Sequence, residues 1–302
     1  ERVAAPVLHL DASQSGSFTF TNGTQVLEWR DLSGNGYHAR AVDTNNPPVL
    51  LAKELGTLPA VSFGRRGSNQ LLKWPVTLTT ARSVFWVIGS QDGGGFLLGG
   101  NASYDFHRGG LLGVNPDDPL WSTGSPLQNS YLNGQAVNGR TTGLCGGYDL
   151  VSVIESAARS ADGLAFDRGF ADRTGGQRLA ELIIYDRTLS ETERRQVEAY
   201  LYRKWFADGT DLSQLHMLSD AAIRTETGCG GTTGVRRVSG RGNLAKAGEG
   251  ALRLLEPWSY PGTLVLKEGA VVLSNAVPDA VPGTFAQTPV FRLDQVLYFI
   301  TV

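Results

Sequence analysis

The sequence predicts an all-β chain: an antiparallel jelly-roll sandwich with one C-terminal helix, followed by a small β-solenoid-like domain. Three observations lead to this prediction. About ten short apolar segments lie between turn signals in residues 1–188, a spacing typical of sandwiches. One amphipathic helical pattern follows at residues 189–205. Beyond residue 210 Gly and Thr become frequent and the apolar runs become very short.

The predicted strands of the sandwich are rich in β-branched, aromatic and leucine residues, which fit a half-buried pleated surface. Gly, Asn, Asp and Pro separate them, and Asn-Gly in D-L-S-G-N-G (31–36) supplies one of the turns. The predicted strands lie at residues 7–11, 17–20, 26–29, 59–63, 83–89, 95–99, 110–114, 130–137, 150–155 and 179–186.

The predicted helix spans residues 189–205. Ser190 and Glu193 have the spacing of a capping box, in which the hydroxyl accepts from an amide of the first turn and the carboxylate reaches back to the cap. Apolar side chains recur every four residues from Val197 to Trp205. They form one stripe on the helix, which we expect to lie on a sheet.

The C-terminal third has a different pattern. In residues 238–254 and 262–274, Leu or Val alternates with other residues and Gly recurs where the chain must turn a corner. This pattern fits a β-solenoid, in which each rung buries its apolar side against its neighbours. The predicted domains are therefore a sandwich at 1–208, a β-helical repeat at 209–276, and a linker with the first strand of a following repeat at 277–302.

Composition excludes some classes of partner. The chain has 302 residues, a hydrophobic share of 41% and a net charge of −2, with basic and acidic residues well mixed. Because no basic run is present, nucleic acid is not an expected partner. No apolar run reaches the roughly 18 residues of a membrane span. Cys145 and Cys229 either form one long-range disulfide or remain two buried thiols.

Several segments resemble known bacterial families. Three segments, taken in order, resemble the concanavalin A-like, laminin G-like jelly-roll domain of bacterial secreted proteins. They are E-W-R-D-L-S-G-N-G-Y-H-A (28–39), L-P-A-V-S-F (58–63) and the long segment at 178–205. Residues 238–274 resemble the autotransporter-associated repeat, a β-helical unit written G-x-G-x-L-x-K-x-G-x-G-x-L. The matching residues are Gly240, Gly242, Leu244, Lys246, Gly248, Gly250 and Leu252.

These resemblances imply a two-layer antiparallel sandwich followed by a fragment of right-handed β-helix. They also imply secretion or surface display by a bacterium. Many relatives of the jelly-roll domain bind glycans or proteins, often with a calcium ion at the rim.

Catalytic patterns are weak in this sequence. A retaining glycosidase needs two carboxylates about 5–5.5 Å apart, and an inverting one about 6.5–9.5 Å. The string E-x-D-x-x-E, which places such groups on one strand, does not occur. Glu155 and Glu181 would face each other only if their two strands pair. The favoured interpretation is that they cap an exposed face or pair with Arg178 or Arg187.

Nucleophilic and zinc chemistry find no support in the sequence either. No Ser lies in a G-x-S-x-G elbow. The four histidines, His9, His38, His107 and His216, form no cluster in sequence, so no zinc site is expected. We expect His38 to hydrogen-bond the backbone of its turn, and His9 to lie in a strand as a core or sheet-face residue.

Sugar binding requires an aromatic platform beside polar groups, because a pyranose face is apolar and its edge carries hydroxyls. Trp121 is the best single platform, since no strand pattern surrounds it. The alternative is that it fills the sandwich core, as we expect of Trp29 and Trp86. The predicted ligand-binding residues are Trp121, Tyr104, His107, Arg108, Asp105 and Asn133.

Calcium is the one cofactor that the sequence leaves open. It prefers six to eight oxygen ligands from loops, and acidic or amide residues cluster at 91–95, 101–105 and 115–119. The predicted calcium ligands are Asp92, Asn101 and Asp117. The alternative is ordinary turn chemistry, because Asp and Asn also form Asx-turns.

The favoured function is a non-catalytic carbohydrate-binding or adhesion module of a large bacterial secreted or surface protein. The alternatives are a polysaccharide-active enzyme on the same fold and a purely structural repeat. P-V-L-H-L-D (6–11) recurs as P-V-F-R-L-D (289–294). This echo predicts tandem repeats in a longer chain, which would favour adhesion through avidity.

Overall fold

The structure of the protein is a computed structural model that divides into two compact units, Glu1–Leu201 and Tyr202–Val302. It describes residues 3, 5–55, 57–90, 98–100, 104–108, 118–144, 148–167, 170–206, 215–224, 232–235, 238–247, 251–254, 262–267, 270–273 and 291–293. Both cysteines lie outside these residues. None of the helices in the described part is long and apolar enough to cross a membrane.

The first unit is built around one eleven-stranded antiparallel sheet with the start of a single helix, which confirms the predicted all-β sandwich class. Its strands are β1 (Leu8–Asp11), β2 (Phe18–Phe20), β3 (Val26–Trp29), β4 (Ala39–Ala41), β5 (Val49–Leu55), β6 (Leu58–Ser62), β7 (Leu72–Ser90), β8 (Ser130–Leu132), β9 (Gln135–Val137), β10 (Tyr148–Leu164) and β11 (Gln177–Tyr185). Helix α1 spans Glu191–Trp205.

Two long strands, β7 and β10, hold the sheet together. The second half of β7 pairs with the first half of β10 and with β11, whereas its first half pairs with β4 and with the end of β10. Register shifts interrupt the β7–β10 pairing after Ile154, where the ladder resumes at Arg159. Because shifts of this kind bend strands, both strands contribute to each half of the sandwich-like sheet.

The inner face of the sheet forms the core. In one row of facing residues Val151 of β10, Trp86 of β7, Leu182 of β11 and Leu10 of β1 lie side by side, and all four are buried. Trp29 of β3 is buried as well. The predicted core positions of Trp29 and Trp86 are therefore confirmed.

The outer face of the same strands lies under the first part of α1. Glu198 accepts a hydrogen bond of 2.5 Å from the hydroxyl of Ser152 on β10. The guanidinium of Arg194 lies 3.9 Å from the centre of the Tyr131 ring on β8. Val197 and Leu201 are buried. The first part of the predicted apolar stripe is therefore buried, on a helix that lies on the sheet.

The capping box at the start of α1 forms as predicted. The Glu193 amide donates to Ser190 Oγ at 3.3 Å, and the Ser190 amide donates to Glu193 Oε2 at 2.9 Å. Arg187 adds a bidentate pair to the same carboxylate, at 2.6 and 3.1 Å. The Arg187 hydrogen bonds and then those from Ser190 lower the pKa of Glu193 to about 2.

Replacing Ser190 with Ala should lower the free energy of unfolding by about 1 kcal/mol, because one amide of the first turn loses its acceptor. Urea denaturation measures this change. Thr192→Ala, on the exposed side of the same turn, is the matched control and should cause no loss. The Glu193 part of the cap should persist at neutral pH and weaken as the pH falls from 4.5 towards 2. Equal stability of both variants would contradict the capping role.

The observed strands differ from the predicted ones in two respects. The segment predicted as one strand at 130–137 is a hairpin, since Asn133 and Gly134 have φ values of 51° and 81° and turn the chain. Strands β4 and β5 and the first half of β7 were not predicted, because their mixed polar and apolar residues show no clear period. The predicted strand at 110–114 and residues 95–97 lie outside the described residues.

The second unit consists of parallel strands, as a solenoid requires. Strands that start at residues 221, 244 and 264 pair in parallel, and so do those that start at 232, 251 and 270. Its strands are β12 (Leu215–Met217), β13 (Ala221–Arg224), β14 (Thr232–Val235), β15 (Val238–Gly240), β16 (Leu244–Ala247), β17 (Ala251–Leu254), β18 (Leu264–Leu266), β19 (Ala270–Leu273) and β20 (Phe291–Leu293).

Stacked rungs bury a shared apolar core and share corner hydrogen bonds. Val235, Leu244, Leu252 and Leu264 belong to this core. At one corner Asp220 accepts from the Asn243 amide at 2.7 Å. Asn243 in turn accepts from the Thr263 amide at 3.1 Å, so one polar ladder runs through three rungs.

Gly242 is required at this corner. Its φ is 100°, and a Cβ added there would lie 2.4 Å from the backbone carbon of Ser219 in the preceding rung. Both the conformation and the close approach favour glycine. The glycine that matches the repeat pattern therefore has a direct steric role.

The segment at 289–294, which repeats the sequence pattern of residues 6–11, does not form the strand that was predicted. Phe291–Leu293 pairs in parallel with Leu264–Leu266 and adds a further strand to the solenoid sheet. The sequence predicted it as the entry strand of a following sandwich. Alternation with period 2 is common to both kinds of strand, so the pattern alone does not distinguish them.

Candidate functional site

The predicted ligand-binding residues lie on the loop at 104–108 and on the segment that leads through the β8–β9 hairpin. Trp121 is 1% exposed, and its ring packs 6.1 Å from Trp86 and 6.5 Å from Phe106 between centroids. Its indole N–H donates to Ser130 Oγ at 2.7 Å. Trp121 is therefore a core residue in this structure, and its predicted role as an exposed platform is corrected.

Tyr104 is the member of the predicted set with an exposed ring, at 40% exposure. Its ring meets the His107 imidazole edge to face, with centroids 5.1 Å apart. His107 is buried, and its Nδ1 lies 2.6 Å from Ser122 Oγ. The Tyr104 ring thus stands at the surface on a support that joins the two loop segments.

Arg108 is buried beneath these loops rather than exposed to a ligand. It donates to the carbonyl of Asp118 at 3.1 Å. Burial lowers the pKa of Arg108 to about 10, and the nearby Asp118 and Asp149 carboxylates partly oppose this shift. The guanidinium therefore stays charged at neutral pH and holds the loop in place.

The side chains of Asn133 and Asp105 also form hydrogen bonds with neighbouring segments of the chain. Asn133 donates to Asp149 at 2.9 Å and accepts from the Leu150 amide at 2.9 Å, which ties the β8–β9 turn to β10. Asp105 accepts from the Ser160 amide at 2.8 Å, and its carbonyl accepts from Ser125 Oγ at 2.7 Å. Both side chains are half-buried.

The predicted calcium ligands Asp92, Asn101 and Asp117 all lie outside the described residues. The calcium site stays a prediction for this reason.

The two carboxylates considered for hydrolysis do not face each other. Glu155 is on β10 and Glu181 is on β11, and β7 lies between these strands. Glu155 accepts from the amides of Gln128 and Asn129 and pairs with Arg159 at 3.0 Å. Both carboxylates are buried, which corrects the expectation that they cap an exposed face.

A cluster that sequence reasoning missed lies on the outer face of β1 and β11. His9, Asp11 and Glu181 place one ligand atom each within 4.8 Å of one another. The histidines form no cluster in sequence, but the fold brings His9 close to two carboxylates. The missing information was the pairing of the first strand with the last, which sequence spacing does not reveal. The prediction for His38 is confirmed, since its Nδ1 accepts from the Asp31 amide at 3.1 Å.

Comparison with known proteins identifies no family. No protein-family model matches the chain, and no curated protein matches it significantly. Among solved structures, Trypanosoma rangeli sialidase in complex with the inhibitor DANA is similar at a TM-score of 0.36 and 15% identity, over 65% of this chain and 33% of that one. The same sialidase with sialic acid gives a TM-score of 0.30 and 16% identity, over 70% and 34%. The chain thus spans about a third of these structures, and we draw no conclusion from this weak likeness.

Gly139 leaves room for the Trp121 ring, because an added Cβ would lie 2.3 Å from Trp121 Cδ1. Gly139→Ala should therefore lower the free energy of unfolding by about 1–3 kcal/mol through overpacking. Urea denaturation checks this result. Gly16→Ala, where an added Cβ meets nothing within 4 Å, is the control and should stay close to wild type. A neutral Gly139→Ala would show that the Trp121 ring is not held as described.

Proposed function

We propose that the chain is a non-catalytic carbohydrate-binding or adhesion module of a larger bacterial secreted or surface protein. The proposal includes membership in the jelly-roll and autotransporter-associated repeat families, which the motifs at 28–39, 178–205 and 238–274 support.

The observation that carries the proposal is the exposed Tyr104 ring on a fixed support. One ring face can stack on the apolar face of a sugar, while polar groups meet its hydroxyls. Exposed Thr123 and Gly124 lie on the adjacent loop, and an added Cβ at Gly124 would be 3.8 Å from Tyr104 Cδ1. We call Tyr104, Thr123 and Gly124 the tyrosine platform.

Hydrogen bonds and buried rings hold the loop beneath the tyrosine platform in place. Arg140 donates to the carbonyls of Thr123 and Ser125, both at 2.9 Å. The Trp86, Phe106 and Trp121 rings fill the space below. A ligand would therefore find the ring already in place and would not have to order the loop.

The arrangement of carboxylates supports a binding role over hydrolysis. Glycoside hydrolysis uses two carboxylates on either side of the scissile bond. Glu155 and Glu181 are separated by a strand, and each accepts hydrogen bonds from neighbouring groups. Both are buried.

In this proposal the solenoid unit is a spacer, and the protein acts at the cell surface or after secretion. Calcium at Asp92, Asn101 and Asp117 would at most organise a loop.

A glycan array, probed with and without EDTA, tests the proposal. We expect binding to at least one glycan, and Tyr104→Ala should weaken it about two- to twelvefold, because one aromatic contact contributes about 0.5–1.5 kcal/mol. Phe170→Ala, which removes another exposed ring, is the matched control and should bind like wild type. The melting temperature of both variants shows whether they fold.

Two outcomes would count against the proposal. If no glycan binds with or without EDTA, the carbohydrate-binding role is contradicted. If Tyr104→Ala and Phe170→Ala weaken glycan binding equally, Tyr104 is not the binding platform. Release of reducing sugar from a bound polysaccharide would show that the protein is an enzyme and not a non-catalytic module.

A further inference from the structure

The first and last strands of the sandwich bring three metal-binding side chains together. β1 pairs with β11 so that Asp11 lies opposite Glu181, and His9 lies opposite Ile183. Alternate residues of a strand share a face. His9, Asp11 and Glu181 therefore project from the outer face of the sheet, whereas Leu8 and Leu10 point into the core.

The three side chains are in direct reach of one another. His9 Nε2 lies 2.7 Å from Glu181 Oε1, and the chosen ligand atoms of all three residues lie within 4.8 Å. The ligand atoms of a tetrahedral zinc ion bonded at about 2.0–2.2 Å lie about 3.3–3.6 Å apart, which falls between the 2.7 Å contact and the 4.8 Å limit of this cluster. Only small side-chain movements are needed for all three to meet one ion.

The two carboxylates of this cluster are buried side by side, a setting that attracts a cation. Glu181 is fully buried and Asp11 nearly so. Two carboxylates this close in a poorly solvated place repel each other unless a proton or a cation lies between them. A divalent ion neutralises both carboxylates at once, and it leaves the imidazole neutral as a ligand.

Neighbouring groups hold the cluster in position. The His9 amide donates to Asp31 at 2.9 Å, and the His9 carbonyl accepts from the Leu32 amide at 2.8 Å. Asp11 accepts from the amide and hydroxyl of Ser13, at 2.9 and 2.7 Å. Supports of this kind, placed behind metal ligands, orient them and raise affinity.

Tyr200 of α1 covers the cluster from the helix side. Its hydroxyl donates to Glu181 at 3.0 Å. Burial, followed by the Glu181 and Asp11 charges, raises the pKa of Tyr200, so the hydroxyl remains a donor. The His9 side chain keeps 21% of its surface exposed, which leaves a path for an ion.

We propose that His9, Asp11 and Glu181 form a binding site for a divalent transition metal, with Zn²⁺ as the best fit. Imidazole suits zinc and its neighbours, whereas calcium takes oxygen ligands. Three protein ligands leave one position of a tetrahedral ion open to water.

The test uses the full chain after removal of metals by a chelating resin. Isothermal titration with ZnCl₂ should show one site per chain, and the melting temperature should rise with zinc. His9→Gln, which keeps a polar group but has no imidazole, and Asp11→Asn should each weaken zinc binding at least tenfold. Glu28→Gln changes a surface carboxylate that pairs with Arg40 at 2.7 Å. This control should bind zinc like wild type.

Cobalt supplies an independent readout. Co²⁺ at this site should give visible absorption bands of a four-coordinate ion, and His9→Gln should abolish them even if its stability changes. No zinc heat with wild type would overturn the proposal. Wild-type-like zinc binding by both His9→Gln and Asp11→Asn would place the ion elsewhere and overturn it as well. A response to Ca²⁺ without one to Zn²⁺ would contradict the ligand set.

Discussion

The structure of the first unit depends on the position of β11 between β1 and β7. This ladder joins the first strand of the sandwich to its last and places both beside the long strand that runs through the whole sheet. It aligns Leu10, Leu182 and Trp86 in one inner row, which supplies the core. It also brings His9, Asp11 and Glu181 together on the outer face of the sheet.

The two faces of this ladder have different chemical consequences. On the inner face, aromatic packing around Trp86 fixes the loops and leaves the Tyr104 ring outside, which supports the proposed sugar platform. On the outer face, polar side chains face the helix and are held by buried hydrogen bonds. There the same pairing joins His9 to Glu181, which are distant in sequence. The pairing register of β11 with β1 and β7 therefore determines both the packing of the core and the cluster of His9, Asp11 and Glu181.

The second unit is stabilised by a different kind of strand pairing. Its strands pair in parallel with their equivalents in the next rung, so each rung depends on its neighbours for burial. Leu244 and Leu264 share the apolar core, and Asn243 continues the polar ladder at the corner. Gly242 allows the rungs to approach closely there.

The sequence by itself determined the elements whose cause is local. The capping box, the apolar stripe from Val197, the core tryptophans Trp29 and Trp86 and the solenoid pattern all depend on residues a few positions apart. Only the tertiary structure decided which strands meet and which rings remain outside. It buried Trp121, left Tyr104 exposed, separated Glu155 from Glu181 and joined His9 to Asp11 and Glu181. The physical reason is that strand pairing is a long-range choice, since alternation fixes the two faces of a strand but not its neighbour.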